Sequence, residues 1–228
     1  MEEFADDLEF IDDAAKSFVP GYDHRLGSDL RDVTQSTLTD QEIMEDWQTP
    51  LMKAMARCAT GSHGDILEIG FGRGVSAEFI QLEGVRSHTV VEPNRHSIDH
   101  HFTPWRKRHA SRDIRLVEGR WQDVEDRLGL YDGIFFHAFP LNEEEFTRYV
   151  LESITFAEHA FAPMAAHLKP GGAFTYLTTE INSLSRRHQR CLFRHFHSIS
   201  IHVEKLSIPP DTHDTWWADQ MVVIRAVK

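Results

Sequence analysis

Three short stretches of this sequence carry residues that could hold a nucleotide. The first is Glu68-Ile69-Gly70-Phe71-Gly72-Arg73-Gly74, a glycine-rich run that follows an apolar segment. Glycines between a strand and its helix let the backbone approach a ligand, at the sheet position where α/β folds bind nucleotides. The second is Glu92, at the end of the next apolar run, where a carboxylate accepts hydrogen bonds from both ribose hydroxyls. The third is Gly119-Arg120-Trp121-Gln122-Asp123, whose aspartate stands where an adenine edge would be read. The glycine spacing departs from the dinucleotide pattern G-x-G-x-x-G, because the third glycine comes one residue early. A dinucleotide site is the competing interpretation at this level.

These residues need strands and helices to position them, and the hydrophobic pattern supplies both. Thr39-Asp40-Gln41-Glu42 reads as a capping box opening a helix that carries Ile43, Met44, Trp47, Leu51, Met52 and Met55, which Pro50 should kink or restart. Apolar runs at 65–69, 89–92, 114–117, 133–136 and 173–177 predict five buried strands. Helices are expected over 75–83, over 96–109 with a break at Pro104, and over 143–168 with a division at Pro163. Lys169-Pro170-Gly171-Gly172 reads as a tight turn. A helix near 183–196 precedes closing strands at 200–204 and 221–225. Strands alternating with helices predict an α/β, doubly wound (Rossmann-like), mostly parallel seven-stranded sheet with an antiparallel edge. Residues 1–42 are expected to form an N-terminal helical lid, or flap, and residues 43–228 the cofactor-binding domain.

Composition narrows the partners. The 228 residues are 41% hydrophobic and 26% charged, as in a globular protein. A formal net charge of −12 argues against nucleic acid as a substrate. There is no apolar run long enough to span a membrane. The acidic N-terminus is the opposite of a targeting signal, which makes the expected location cytoplasmic. Cys58 and Cys191 are expected to be reduced and packed rather than bonded. The 15 histidines are scattered without cysteine or paired carboxylate company, so no metal site is expected and most should face solvent or cap helices. Nothing separates a monomer from a homodimer.

From Ile43 onward the chain resembles the guanidinoacetate N-methyltransferase family. Met44-Glu45-Asp46-Trp47-Gln48-Thr49-Pro50-Leu51-Met52 is similar to the family's M-E-R-W-E-T-P-Y-M. Leu67 to Gly72, Val91-Glu92-Pro93-Asn94, Gly119 to Val124, Tyr131-Asp132-Gly133-Ile134, Phe139-Pro140-Leu141, Leu168 to Gly172, Thr175-Tyr176, Pro209-Pro210 and Trp216-Trp217 follow in family order. The resemblance implies S-adenosyl-L-methionine as cofactor. Met44, Met52, Glu92, Gly119 and Arg120 would line its pocket beside Glu68, Gly70, Gly72 and Gly74. Tyr22 falls near the flap position where the family carries a tryptophan.

The departures concern the acceptor. The family grips a guanidinium with the glutamate of W-E-T-P and the aspartate of Y-D-T-Y-P. Here those positions read Gln48 and, in Phe136-His137-Ala138-Phe139-Pro140, His137. Loss of both charges costs a buried cation several kcal/mol, so guanidinoacetate is not the expected substrate. Gln48, His137 and Tyr176 are the candidate catalytic residues, with Phe139, Trp216 and Trp217 lining a near-neutral, aromatic pocket. His137 is expected to take a proton near pH 7, or to hydrogen-bond the cofactor's amino group. Three activities follow. The first is N-methyl transfer to a small molecule other than guanidinoacetate, in secondary metabolism. The second is cyclisation of S-adenosylmethionine to azetidine-2-carboxylate and methylthioadenosine. The third is non-catalytic cofactor binding.

Overall fold

In the computed structural model, residues 40–140, 143–210 and 218–228 are described. The chain enters through a short helical turn, α1 (Asp40–Ile43), and a 3-10 turn over Asp46–Gln48, and then forms α2 (Thr49–Thr60). Pro50 lies in the first turn of α2, where a missing N–H goes unnoticed, so the helix restarts there. Then come β1 (Asp65–Ile69), α3 (Val75–Leu82), β2 (Ser87–Glu92), α4 (Arg95–Ser97), α5 (Thr103–Arg108), β3 (Ile114–Glu118), β4 (Tyr131–Phe136), α6 (Glu143–Phe146), α7 (Phe161–Ala166), β5 (Leu168–Tyr176), α8 (Arg186–Leu192), β6 (Ser198–Lys205) and β7 (Gln220–Val227).

The seven strands form one sheet in the order β3-β2-β1-β4-β5-β7-β6. β1 to β5 are parallel, and β7 runs antiparallel between β5 and β6. The strand order reverses between β1 and β4, which opens a crevice beyond their C-terminal ends, where such sheets bind ligands. Leu67, Ile69, Ile134, Phe136, Phe174 and Tyr176 bury one face against Phe161, Met164 and Leu192. The alternate residues Ile66 and Phe135 pack with Val223 against Trp47, Leu51, Met52 and Met55. By the same alternation Glu68, His137 and Thr175 belong to this second face; Thr175 stands in register with Phe135.

Three expected elements differ. The 96–109 helix is not broken at Pro104: a π-helical turn over Ile98–Phe102 absorbs the irregularity, and Pro104 falls in the first turn of α5. The 143–168 helix divides well before Pro163. A π-helical turn over Thr147–Leu151 ends where Ser153 Oγ donates to the Arg148 carbonyl at 2.9 Å, and the Ile154 N–H donates to Glu158 Oε2 at 2.8 Å. Such side-chain bonds compete with the helical ladder. The tight turn at 169–172 is instead a bulge inside β5, since Tyr131 pairs with Leu168 and Gly133 with Ala173. Gly171, at φ +78°, donates there to the Lys228 carbonyl. Cys58 and Cys191 are both free.

Candidate functional site: a glycine turn beside an uncharged cleft

The glycine turn is built by backbone close approach. Gly70, Gly72 and Gly74 have φ values of +86°, +54° and +79°. These are left-handed conformations that side chains disfavour. Gly70 N donates to the Val91 carbonyl and His137 N to the Ile69 carbonyl, each at 2.9 Å, so the turn is tied to β2 and to the end of β4. Gly74 lies over the Phe71 ring and opens α3.

Glu92 stands beside this turn, 5% exposed. Its Oε2 accepts the N–H groups of Phe71 at 2.8 Å and Gly72 at 3.2 Å, and its Oε1 accepts that of Asn94 at 2.8 Å. Burial raises its pKa, against the lowering effect of those three donors. A carboxylate offers about four acceptor positions, so Oε1 keeps one for a hydroxyl. These residues therefore fit a ribose: the turn presents bare backbone, and an acid with spare capacity is fixed against it.

Glu68 faces the other way. Its fully buried carboxylate accepts from Ser76 Oγ on α3, and its Oε2 lies 3.0 Å from His88 Nε2, off the line of a good hydrogen bond. Gln81 Nε2 is 3.1 Å from the other ring nitrogen of His88. Glu68 thus anchors α3 under the turn. His88 and His188, both buried and both carrying carboxylate partners, differ from the solvent-facing or capping roles expected of the histidines.

Arg73, which the sequence reading passed over, ties the turn to the entering segment. Its Nη1 donates to the Met44 carbonyl and to Asp46 Oδ1, both at 2.8 Å. The Ile43 side chain lies directly over Gly72. A cation in the middle of a glycine run was the available signal. Met44 and Met52 are buried in the cluster on that side.

After β3, Gly119 has φ +139° and its N–H meets the Glu92 carbonyl at 3.2 Å. Arg120 forms an ion pair with Glu145, while its Nε is buried without a hydrogen-bond partner. Asp123 is exposed. It borders an open acidic groove with Glu125, Asp126 and His167. That groove runs to the N-terminal ends of β4 and β5, away from the crevice.

At the end of β4, His137 is half-buried, and its ring Nε2 lies out of solvent without a hydrogen-bond partner. Burial lowers its pKa to about 4. This corrects the expected titration near pH 7: the ring is neutral throughout the physiological range. Phe139, 53% exposed, meets it edge-on at 5.1 Å between centroids. Gln48 is buried at the start of α2. Tyr176 is not brought to this group. It lies on the opposite sheet face, fully buried, with its hydroxyl 2.5 Å from His188 Nε2, and His188 Nδ1 lies 3.1 Å from Glu180 Oε1. Its strand neighbour Thr175 takes the face that Tyr176 was expected to occupy. Tyr22, Trp216 and Trp217 lie outside the described residues. Among the described residues, no three potential ligands cluster for a metal, and no helix is long and apolar enough to cross a membrane.

A family model described as guanidinoacetate N-methyltransferase matches residues 27–203. Protein arginine N-methyltransferase 2 of Kluyveromyces lactis is 28% identical over 127 residues, which is 50% of this chain and 30% of that protein. The chain therefore spans about a third of the length of this relative. Among solved structures, a precorrin-6y C5,15-methyltransferase from Geobacter metallireducens aligns with a TM-score of 0.54 at 13% identity, covering 81% of this chain and 88% of the other. A spermidine synthase in complex with the transition-state analogue AdoDATO aligns at 0.55 and 13% identity, covering 81% and 61%. At that identity the likeness is one of fold.

Proposed function

The chain belongs to the guanidinoacetate N-methyltransferase family, and we propose that it transfers a methyl group from S-adenosylmethionine to a small acceptor that is uncharged at its reacting atom and is not guanidinoacetate. The carrying observation is His137. Where the family has a carboxylate, this chain has a half-buried imidazole whose Nε2 is out of solvent and whose pKa burial lowers to about 4. With Gln48 at the other carboxylate position, a guanidinium would enter without a counter-charge, a costly arrangement in a buried site.

S-adenosylmethionine supplies a sulfonium-activated methyl group. Glu92 would hold the ribose, while Gly70, Gly72 and Gly119 keep the backbone open to it. Arg73 would draw Met44 and Ile43 down over the turn. His137, a weak base, would orient the nucleophile by a hydrogen bond; the acceptor atom bonds to the methyl carbon, the methyl–sulfur bond breaks with its electron pair on sulfur to leave S-adenosylhomocysteine, and the acceptor's proton passes to solvent. Holding two reactants in line is itself a large source of acceleration.

A second reading rests on the same lack of counter-charge. S-adenosylmethionine would then be the sole substrate: its amine nitrogen bonds to Cγ, the Cγ–S bond breaks with the electron pair leaving on sulfur, and the ammonium proton passes to solvent. The products are azetidine-2-carboxylate and methylthioadenosine.

Incubation with S-adenosylmethionine alone, followed by mass spectrometry, separates these activities. Methyl transfer requires that S-adenosylhomocysteine form only when an acceptor such as a small amine or alcohol of secondary metabolism is added. Methylthioadenosine with a four-membered imino acid would reject it in favour of cyclisation. Cofactor binding without any product across an acceptor panel would reduce the chain to a binding protein.

A further inference from the structure

We infer that Thr175 and His137 form one two-point hydrogen-bond subsite for a small neutral hydroxyl or amine, the nucleophilic group of the acceptor. The inference rests on the reading of a neutral acceptor given above.

Both side chains end in a buried polar atom with no hydrogen-bond partner, Oγ1 of Thr175 and Nε2 of His137. A buried polar group without a hydrogen-bond partner is costly, so one that persists calls for a partner that completes it. Other buried threonines show the usual solution. Thr60 gives its hydroxyl to the Ala56 carbonyl at 2.8 Å, and Thr178 gives its own to the Val222 carbonyl at 2.9 Å. Thr175 is fully buried and has neither.

The sheet places the two residues on one face of adjacent strands. Thr175 on β5 is in register with Phe135 on β4, and His137 follows Phe135 by two residues on the same face. They are diagonal neighbours on the same face of adjacent parallel strands, from which the two side-chain tips can converge on one small group. Phe135 is fully buried beside them, and the Phe135 and His137 rings lie 6.5 Å apart. Phe135 stands between Thr175 and Glu68, whose carboxylate is turned to Ser76 and His88, and both family carboxylate positions, Gln48 and His137 itself, are uncharged side-chain types. A hydroxyl or neutral amine both donates and accepts, so it satisfies a neutral imidazole and a hydroxyl at once. A carboxylate or a guanidinium would instead enter as an uncompensated buried charge.

The test labels histidine with 15N in the full chain held with S-adenosylhomocysteine, and follows the His137 ring nitrogens as ethanol, hydroxylamine, acetate or guanidinium is added. Ethanol and hydroxylamine should shift Nε2 saturably in the wild type. Binding should weaken at least ten-fold in Thr175→Val, recover in Thr175→Ser, and leave S-adenosylhomocysteine affinity unchanged in both. Equal titration of Thr175→Val and wild type would overturn the subsite. Saturation by guanidinium, lost in Thr175→Val, would keep the paired residues but overturn both their neutral specificity and the neutral-acceptor reading. Absence of any Thr175-dependent shift with all four probes would overturn the inference alone.

Discussion

Gly70 and His137 meet backbone to backbone: a methyl carbon added at Gly70 would stand 2.1 Å from the His137 carbonyl oxygen. The glycine turn and the end of β4 are therefore one rigid construction, and a change on either side is felt on the other. Gly70→Ala must both leave φ +86° and push β4 away. It should abolish measurable S-adenosylmethionine binding by calorimetry and lower thermal stability by about 2 kcal/mol or more. A Gly70→Ala protein with ordinary affinity would show that the contact is slack.

Glu92 predicts how cofactor affinity depends on pH. Its carboxylate must be ionised to accept the turn's N–H groups and a ribose hydroxyl together, and burial raises its pKa above 4.5. Affinity should therefore weaken as pH falls through that raised value. The stability sign is opposite: the folded protein holds this proton more tightly than the unfolded chain, so this group's contribution to stability declines as pH rises through the same window. Glu92→Gln should weaken binding about 10- to 100-fold at neutral pH, the loss of a charge-assisted acceptor, and should flatten the acid limb of the affinity profile.

For His137 the lowered pKa makes two measurements move differently. Turnover should show no inflection between about pH 6 and 8 assignable to this ring. A general base with an ordinary histidine pKa of about 6.5 would produce one. Stability should fall on acidification, because the unfolded imidazole takes its proton near 6.5 while the folded one resists until about 4. The loss begins below 6.5, is complete below 4, and amounts to about 3 kcal/mol. Chemical denaturation at several pH values in His137→Asn, beside the wild type, isolates it: an unchanged acid dependence would contradict the assignment.

The buried pair beneath the turn makes a prediction about coupling. His88→Leu leaves the Glu68 carboxylate without its imidazole neighbour and should destabilise the fold by about 3–5 kcal/mol. The added change Glu68→Gln should restore much of that loss, since no charge then remains buried. Strictly additive losses in this double-mutant cycle would mean that the 3.0 Å approach carries no interaction energy.

Much of this site is legible in the sequence because its signals are local. The glycine run, the acid that ends β2 and the two departures at Gln48 and His137 need nothing beyond strand periodicity and a family pattern. What was not legible depends on which way a strand faces. Thr175 and Tyr176 are adjacent, and strand alternation sends them to opposite faces, so a block match cannot say which one shares the face of His137. The pKa of His137 depends on enclosure by residues distant in sequence. The break at Ser153, rather than at Pro163, depends on side chains capturing backbone groups four to five residues away. Arg73 acts through partners on a segment some thirty residues earlier, a pairing that no spacing rule encodes.

The central claim is that this chain keeps the family's cofactor but not its guanidinium site. Titrating guanidinoacetate into the protein saturated with S-adenosylhomocysteine, by calorimetry at pH 7.5, tests it most directly. No saturable heat is expected at millimolar concentrations in the wild type. Measurable binding is expected once both charges are restored in the Gln48→Glu, His137→Asp variant. Saturable binding of guanidinoacetate by the wild type would contradict the claim.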